Sequence, residues 1–283
     1  MNLTDLSCVR DIMQRHGIAP QKRYGQNFLI NPTVVARIAD TCADREAGVI
    51  EIGPGIGTLT RELSPRFRKV VALEIDTSLI PVLGETLGDL DNVKVINADA
   101  MKTDLAALVK EEFDGMPVYV CANLPYYITS PIVMSLLESG GIFEAVTVMI
   151  QKEVADRFCA GAGSTDYGAI TLAVNYYSEV EKCFNVAPGN FMPPPKVTSS
   201  VIRMNIRKEP PVSVRDSENM FRIIKYAFAC RRKTLVNALC TSSPKCGKEE
   251  VIRTLEKLGY DPNIRGERLA LSDYARISDE LTV

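Results

Sequence analysis

The chain has 283 residues, with 33 Lys and Arg against 35 Asp and Glu, for a formal charge of -2. That length supports one large domain or two without help from disulfides or metals, and the near-neutral balance excludes a globally basic nucleic-acid binder, so any RNA or DNA footprint must be local. A single histidine, His16, and eight cysteines with no CxxC pair make neither a zinc centre nor a Ser-His-Asp triad easy to build, and fit reduced cytosolic thiols.

The N-terminus lacks a basic region followed by an apolar stretch, and no run of 18 apolar residues occurs, so a cytoplasmic protein is expected. After a basic, glycine-punctuated lead-in over 21–30, Val34, Val35, Ile38 and Ala39 recur at helical spacing, and Asn31 before Pro32 predicts a helix start. Short apolar runs at 48–52, 69–75, 93–98, 118–124 and 145–150 alternate with helical stretches, which predicts a parallel sheet covered by helices. Two later apolar segments, 169–177 and 200–206, flank the Pro-rich stretch 186–195 and are predicted to form a terminal antiparallel hairpin. Beyond Lys208-Glu209-Pro210-Pro211 the pattern is helical only, over 219–239, 248–258 and 272–281. The expected organisation is therefore an α/β domain over 1–208 and a small all-helical domain over 209–283.

Chemistry-bearing residues stand at the ends of successive predicted strands. Glu51-Ile52-Gly53-Pro54-Gly55-Ile56-Gly57 joins the first strand to a helix, with glycines that let a ligand approach the backbone. Its spacing is GxGxG, and Pro54 removes an amide, so a ligand without phosphates is favoured over a dinucleotide. Glu74 closes the second strand, where a carboxylate can grip both hydroxyls of a ribose; Asp99 closes the third, where it can accept from an adenine amine. Asn123-Leu124-Pro125-Tyr126 ends the next strand. Its amide oxygen and a turn carbonyl suit the two protons of an exocyclic amine, and the Tyr126 ring can stack on the base. Taken singly, each of these reads as an ordinary strand-end charge or a Pro-containing turn; a series on one sheet edge is harder to dismiss.

The order of Gly-rich loop, Glu74, Asp99 and Asn123-Leu124-Pro125-Tyr126 resembles S-adenosylmethionine-dependent methyltransferases acting on exocyclic amines of bases. More narrowly, the chain is similar to the ribosomal RNA adenine dimethyltransferase family, through Tyr24-Gly25-Gln26-Asn27-Phe28-Leu29, Phe191-Met192-Pro193-Pro194-Pro195-Lys196-Val197, Arg231-Arg232-Lys233-Thr234-Leu235 and Arg265-Gly266-Glu267-Arg268-Leu269. The resemblance implies a Rossmann-like class I methyltransferase sheet. It also implies that Asn27 and Leu29 cover the methyl donor, S-adenosylmethionine, that Gly53 contacts its methionine part, Glu74 its ribose and Asp99 its adenine. Asn123 would contact both donor and target; the Leu124 or Pro125 carbonyl would take the second amine proton; Tyr126 and Phe191 would sandwich the base. Tyr127 departs from the Asn often found there in the family.

By the same resemblance the target is a pair of adjacent adenosines in the 3′-terminal hairpin of 16S rRNA, dimethylated during small-subunit biogenesis by a monomer that needs no metal. Arg222, Lys225, Arg231, Arg232 and Lys233 form an acid-free basic stretch that is the expected RNA surface of the helical domain, with a solvated helix face as the plainer alternative. Arg10, Arg15, Lys22 and Arg23 form a second candidate patch. Two other readings stay open: the same chemistry on large-subunit rRNA, and a noncatalytic RNA-binding assembly or transcription factor. A nicotinamide oxidoreductase is disfavoured by GxGxG and by the lack of a proton-transfer residue.

Overall fold

The computed structural model describes residues 1–19, 21, 26–243 and 246–283. The chain forms two compact units, one of residues 1–155 with 179–206, the other of 156–178 with 207–283.

The first unit opens with α1 (Leu6–Arg15) and a two-residue strand β1 (Phe28–Leu29). Helix α2 (Pro32–Cys42) begins where the sequence predicts: the Asn31 side chain accepts from the amides of Thr33 and Val34, with Pro32 in the first turn, and Val35, Ile38, Ala39 and Cys42 form its buried stripe. There follow β2 (Asp44–Ile52), α3 (Thr58–Leu63), β3 (Phe67–Glu74), α4 (Ile80–Leu87), β4 (Val93–Asn97), α5 (Leu105–Phe113), β5 (Val118–Asn123), α6 (Thr129–Leu137) and β6 (Ala145–Gln151). The end of the unit is made by β7 (Ser178–Val186), β8 (Phe191–Met192) and β9 (Ser199–Ile206).

Seven strands make one sheet in the order β4-β3-β2-β5-β6-β9-β7. Strands β2 to β6 pair in parallel, and β9 runs antiparallel to β6. Apolar runs such as Val49-Ile50 and Val70-Val71-Ala72-Leu73 are buried because both faces of such a sheet are covered. Chain order reverses at β2, which lies between β3 and β5, and open α/β sheets hold ligands at that switch point, beyond the carboxyl ends of the strands. The register brings those ends abreast: Ile52 is level with Leu73 and Ala122, and Glu74 with Asn97.

The second unit contains the end of α7 (Lys152–Phe158), then α8 (Ala169–Tyr177), α9 (Ser217–Ala229), α10 (Leu235–Ser242), α11 (Lys248–Lys257) and α12 (Leu271–Glu280). Met220, Ile223, Ile224 and Ala227 repeat at i, i+3, i+4 and i+7 and pack with Leu235, Leu239, Val251, Leu255, Tyr274 and Ile277. The buried Asn219 side chain ties down the chain end, donating to Ser278 Oγ at 2.9 Å and the Leu281 carbonyl at 2.7 Å.

Three expectations are corrected. Residues 169–177, predicted as a hairpin strand, are helix α8: a nine-residue apolar run fits either periodicity, and Thr171 Oγ1 accepting from the Gly168 amide at 3.0 Å starts a helix. The strand beside β9 is the following segment, β7, and 156–178 clusters with the second unit instead of with 1–208. The predicted helix 219–239 is two helices, because Thr234 accepts from the Asn237 amide and caps α10, leaving 230–234 as a turn. No described helix is long and apolar enough to cross a membrane.

Candidate active site

The turn between β2 and α3 forms one wall. Gly53, Gly55 and Gly57 all have positive φ, and at Gly57 (φ 89°) a Cβ would lie 2.8 Å from Leu87 Cδ2. The Gly53, Gly55 and Gly57 amides donate to the Leu73 carbonyl, Glu74 Oε2 and the Pro54 carbonyl. With Pro54 lacking an N–H, the turn is spent on its own fold and is no cradle for a pyrophosphate.

Three carboxylates face the same space. Glu74 accepts from the Asp76 amide at 2.8 Å and the Gly55 amide at 3.2 Å, which fixes its orientation while each oxygen keeps a lone pair for a hydroxyl. Burial raises its pKa, with the two amides opposing. Asp99 is held by the Met101 amide on Oδ1 at 3.0 Å. Glu51, on β2, was not singled out from the sequence as a ligand residue. It is 1% exposed, its Oε2 has no partner, and burial, with the charge of Glu74 adding, lifts its carboxyl to about 8.

Opposite them, the Asn123 Nδ2 donates to the Asn27 carbonyl at 3.3 Å, which turns the amide oxygen free as an acceptor. The Pro125 carbonyl already accepts from the Ile128 amide at 3.3 Å and Thr129 Oγ1 at 3.1 Å. The Leu124 carbonyl receives no such bond among the described residues, so the sequence's two candidates separate. Tyr126 Oη and Ser199 Oγ lie 2.8 Å apart. Phe191 reaches the site because β8 pairs antiparallel with β1, Leu29 opposite Phe191 and Phe28 opposite Met192. The Ile30 amide and Asn31 Nδ2 extend this contact to Asn190. A two-residue ladder between chain positions so far apart leaves no periodic trace in sequence.

One cleft of about 1100 Å³, its open mouth included, is lined by Asn27, Leu29, Gly53, Glu74, Asp99, Asn123, Leu124, Pro125, Tyr126 and Phe191, every donor and target residue named from the sequence. Glu51, Thr58, Ile75 and Tyr127 line it as well. Tyr24 and Gly25 of the lead-in motif lie outside the described residues. A cleft walled by three carboxyl groups, one of which has an orphaned buried oxygen and would ionise beside a cation, fits a cationic ligand carrying a diol and an aromatic amine better than a phosphate.

The predicted RNA residues are all exposed, but they differ in their ties. Arg231 donates to Glu267 Oε2 at 2.9 Å and to the Thr165 carbonyl at 2.6 Å, so it braces the second unit. Lys233 reaches Thr241 Oγ1 at 3.1 Å. Arg222 and Lys225 on α9, and Arg232 in the turn after it, have no partner among the described residues. In the second patch Arg15 is paired with Asp11 and Glu85, while Lys22 and Arg23 lie outside the described residues. No group of three or more candidate metal ligands occurs among the described residues.

The chain is similar in sequence and architecture to the following proteins. Two relatives named ribosomal RNA small subunit methyltransferase A, from Geobacillus thermodenitrificans and Streptococcus thermophilus, are 46% and 45% identical, over 96% and 99% of this chain and 94% and 98% of theirs. A dimethyladenosine transferase from Plasmodium falciparum superposes with a TM-score of 0.74 at 26% identity, over 88% of this chain and 95% of its own. The 23S rRNA methyltransferase ErmE gives 0.68 at 29% identity, over 90% and 99%. A sequence profile for ribosomal RNA adenine dimethylases matches residues 19–282. A match that spans nearly the whole chain, from the lead-in to the last helix, means that the chain belongs to the ribosomal RNA adenine dimethylase family.

Proposed function

We propose that the protein dimethylates the exocyclic amines of two adjacent adenosines in the 3′-terminal hairpin of 16S rRNA, on the immature small subunit, as a cytoplasmic monomer. The methyl donor is S-adenosylmethionine, which supplies a methyl group made electrophilic by its sulfonium. Glu74 binds the ribose hydroxyls, Asp99 the adenine amine, and Glu51 accepts from the ammonium of the methionine part; Gly53, Asn27 and Leu29 enclose it.

The observation that carries this reading is the Asn123 amide held by Asn27 beside an open Leu124 carbonyl. An adenine amine is a poor nucleophile because its lone pair is delocalised into the ring. Asn123 Oδ1 and the Leu124 carbonyl accept hydrogen bonds from its two N–H groups and favour a pyramidal nitrogen, whose lone pair leaves conjugation with the ring and points toward the donor side of the cleft. Tyr126 and Phe191 hold the base, a stack worth about 1–3 kcal/mol. A paired adenosine must first be flipped out. No strong base is needed, because the proton becomes acidic once the methyl has transferred, and water takes it.

Identity of 46% to a relative named ribosomal RNA small subunit methyltransferase A, over 96% of this chain, supports the small-subunit target. Immature small subunits, and large subunits in a parallel reaction, are incubated with labelled donor; the small subunits should gain four methyl groups on two neighbouring adenosines, located by mass spectrometry of digested rRNA. Label in 23S rRNA alone, or in no RNA, overturns the proposal.

A further inference from the structure

Tyr127 has no place in the chemistry above, yet it lines the same cleft. It is 60% exposed, the highest value among the exposed large hydrophobic side chains of the described residues, and the one aromatic among them. Neither its hydroxyl nor its ring has a partner among the described residues, whereas neighbouring Tyr126 is bonded to Ser199. The segment leading into Ser199 is also exposed. Lys196 and Val197 are exposed, Lys196 forms no ion pair among the described residues, and it stands three residues before Ser199, within roughly 10 Å of chain. A wet aromatic face in the cleft, and an exposed ammonium a few residues along the chain from the Ser199 that bonds Tyr126, match what an unstacked RNA strand offers, a base and a phosphate.

We propose that Tyr127 is a stacking platform for the nucleobase next to the target adenine, with Lys196 on the intervening phosphate. This rests on the function proposed above and deepens it. The enzyme then grips two consecutive bases, one between Tyr126 and Phe191 and its neighbour on Tyr127. Adjacent adenosines are thereby read as a pair, and a single unstacked adenosine with no stackable neighbour is a poorer substrate.

The test uses the full-length enzyme and RNA hairpins with two adjacent loop adenosines, one or the other replaced by 2-aminopurine, which lacks the amine at the methylated position and so reports from the neighbouring site. Wild-type enzyme and Tyr127→Phe should quench the 2-aminopurine and bind alike. Tyr127→Asn should abolish the quench and bind about tenfold more weakly, the size of one base stack, with S-adenosylhomocysteine affinity unchanged. Lys196→Ala should flatten the salt dependence of binding by about one phosphate contact. If Tyr127→Asn quenches, binds and methylates like an active wild-type enzyme, this inference alone is overturned. If the wild-type enzyme methylates no adenine in hairpin or small subunit, the proposed function is overturned and this inference with it.

Discussion

Tyr126 Oη and Ser199 Oγ form a 2.8 Å hydrogen bond between the turn after β5 and the first residue of β9. The bond joins the parallel part of the sheet to its antiparallel edge, directly at the base slot. Ser199 is fully buried, so its hydroxyl has no water to fall back on. Ser199→Ala therefore frees the Tyr126 ring at a cost of about 1 kcal/mol, a drop of about fivefold in kcat/KM for RNA. Tyr126→Phe should cost a similar amount, and the double variant no more than either, because both remove the same bond. Equal and additive losses in a double-mutant cycle would contradict the coupling.

Asn123 carries a larger share. Asn123→Ala removes the acceptor for one amine proton and should lower single-turnover methylation by about 10²–10³, with RNA affinity nearly unchanged. Asn123→Asp retains an oxygen but cannot donate to the Asn27 carbonyl, so two acceptors meet at 3.3 Å and the side chain turns away. Both variants should be near-inactive while still binding RNA; an active Asn123→Asp enzyme would show that the amide's orientation is immaterial.

The ends of β3 and β5 were legible because buried parallel strands are nearly all apolar, which makes Glu74 and Asn123 stand out as the polar residues that close them; Asp99 instead lies two residues beyond β4, an edge strand with no buried residue. The start of α2 was legible from Asn31-Pro32 for a local reason, one cap and one ring. The pairing of β1 with β8 was not, since it joins residues more than 160 positions apart through two residue pairs. Segment 169–177 failed because a short apolar run has no period of its own, and tertiary burial against Met220 decides it. Glu51 was hidden in plain view: its type was visible, but its isolation within the core was not.

Glu51 gives a pH dependence whose sign can be worked out. Its folded-state pKa is about 8 against an ordinary value of 4.5, so the folded protein binds the extra proton. Stability from this group is complete below about 4.5 and disappears as pH rises through about 8. Glu51→Gln should remove that slope, so thermal melts of the variant and the wild type should converge below about pH 4.5 and draw apart steadily up to about pH 8, the variant the more stable at the upper end. A cationic donor reverses the preference by favouring the carboxylate. Donor binding should therefore release a proton near neutral pH in the wild type and not in Glu51→Gln, a difference that calorimetry in buffers of unequal ionisation heat measures directly.

Arg231 and its basic neighbours should separate by the kind of defect their removal causes. Arg222, Lys225 and Arg232 are exposed and unpartnered among the described residues, so replacing each with Ala should leave the melting temperature unchanged, weaken RNA binding, and lower the salt slope by about 0.7–0.9 for each phosphate no longer neutralised. Arg231 is different, because its guanidinium spans Glu267 Oε2 and the Thr165 carbonyl and so joins two loops of the second unit. Arg231→Ala should destabilise the protein by about 1–3 kcal/mol, with Arg231→Lys recovering only part, since an ammonium cannot bridge both acceptors in the same planar fork. Glu267→Gln should reproduce part of the thermal destabilisation without touching the positive charge of the turn. Melting temperature and salt-dependent binding measured on the same four Ala variants decide the assignment: if Arg231→Ala changes only the salt slope, the residue belongs with the phosphate-binding group after all.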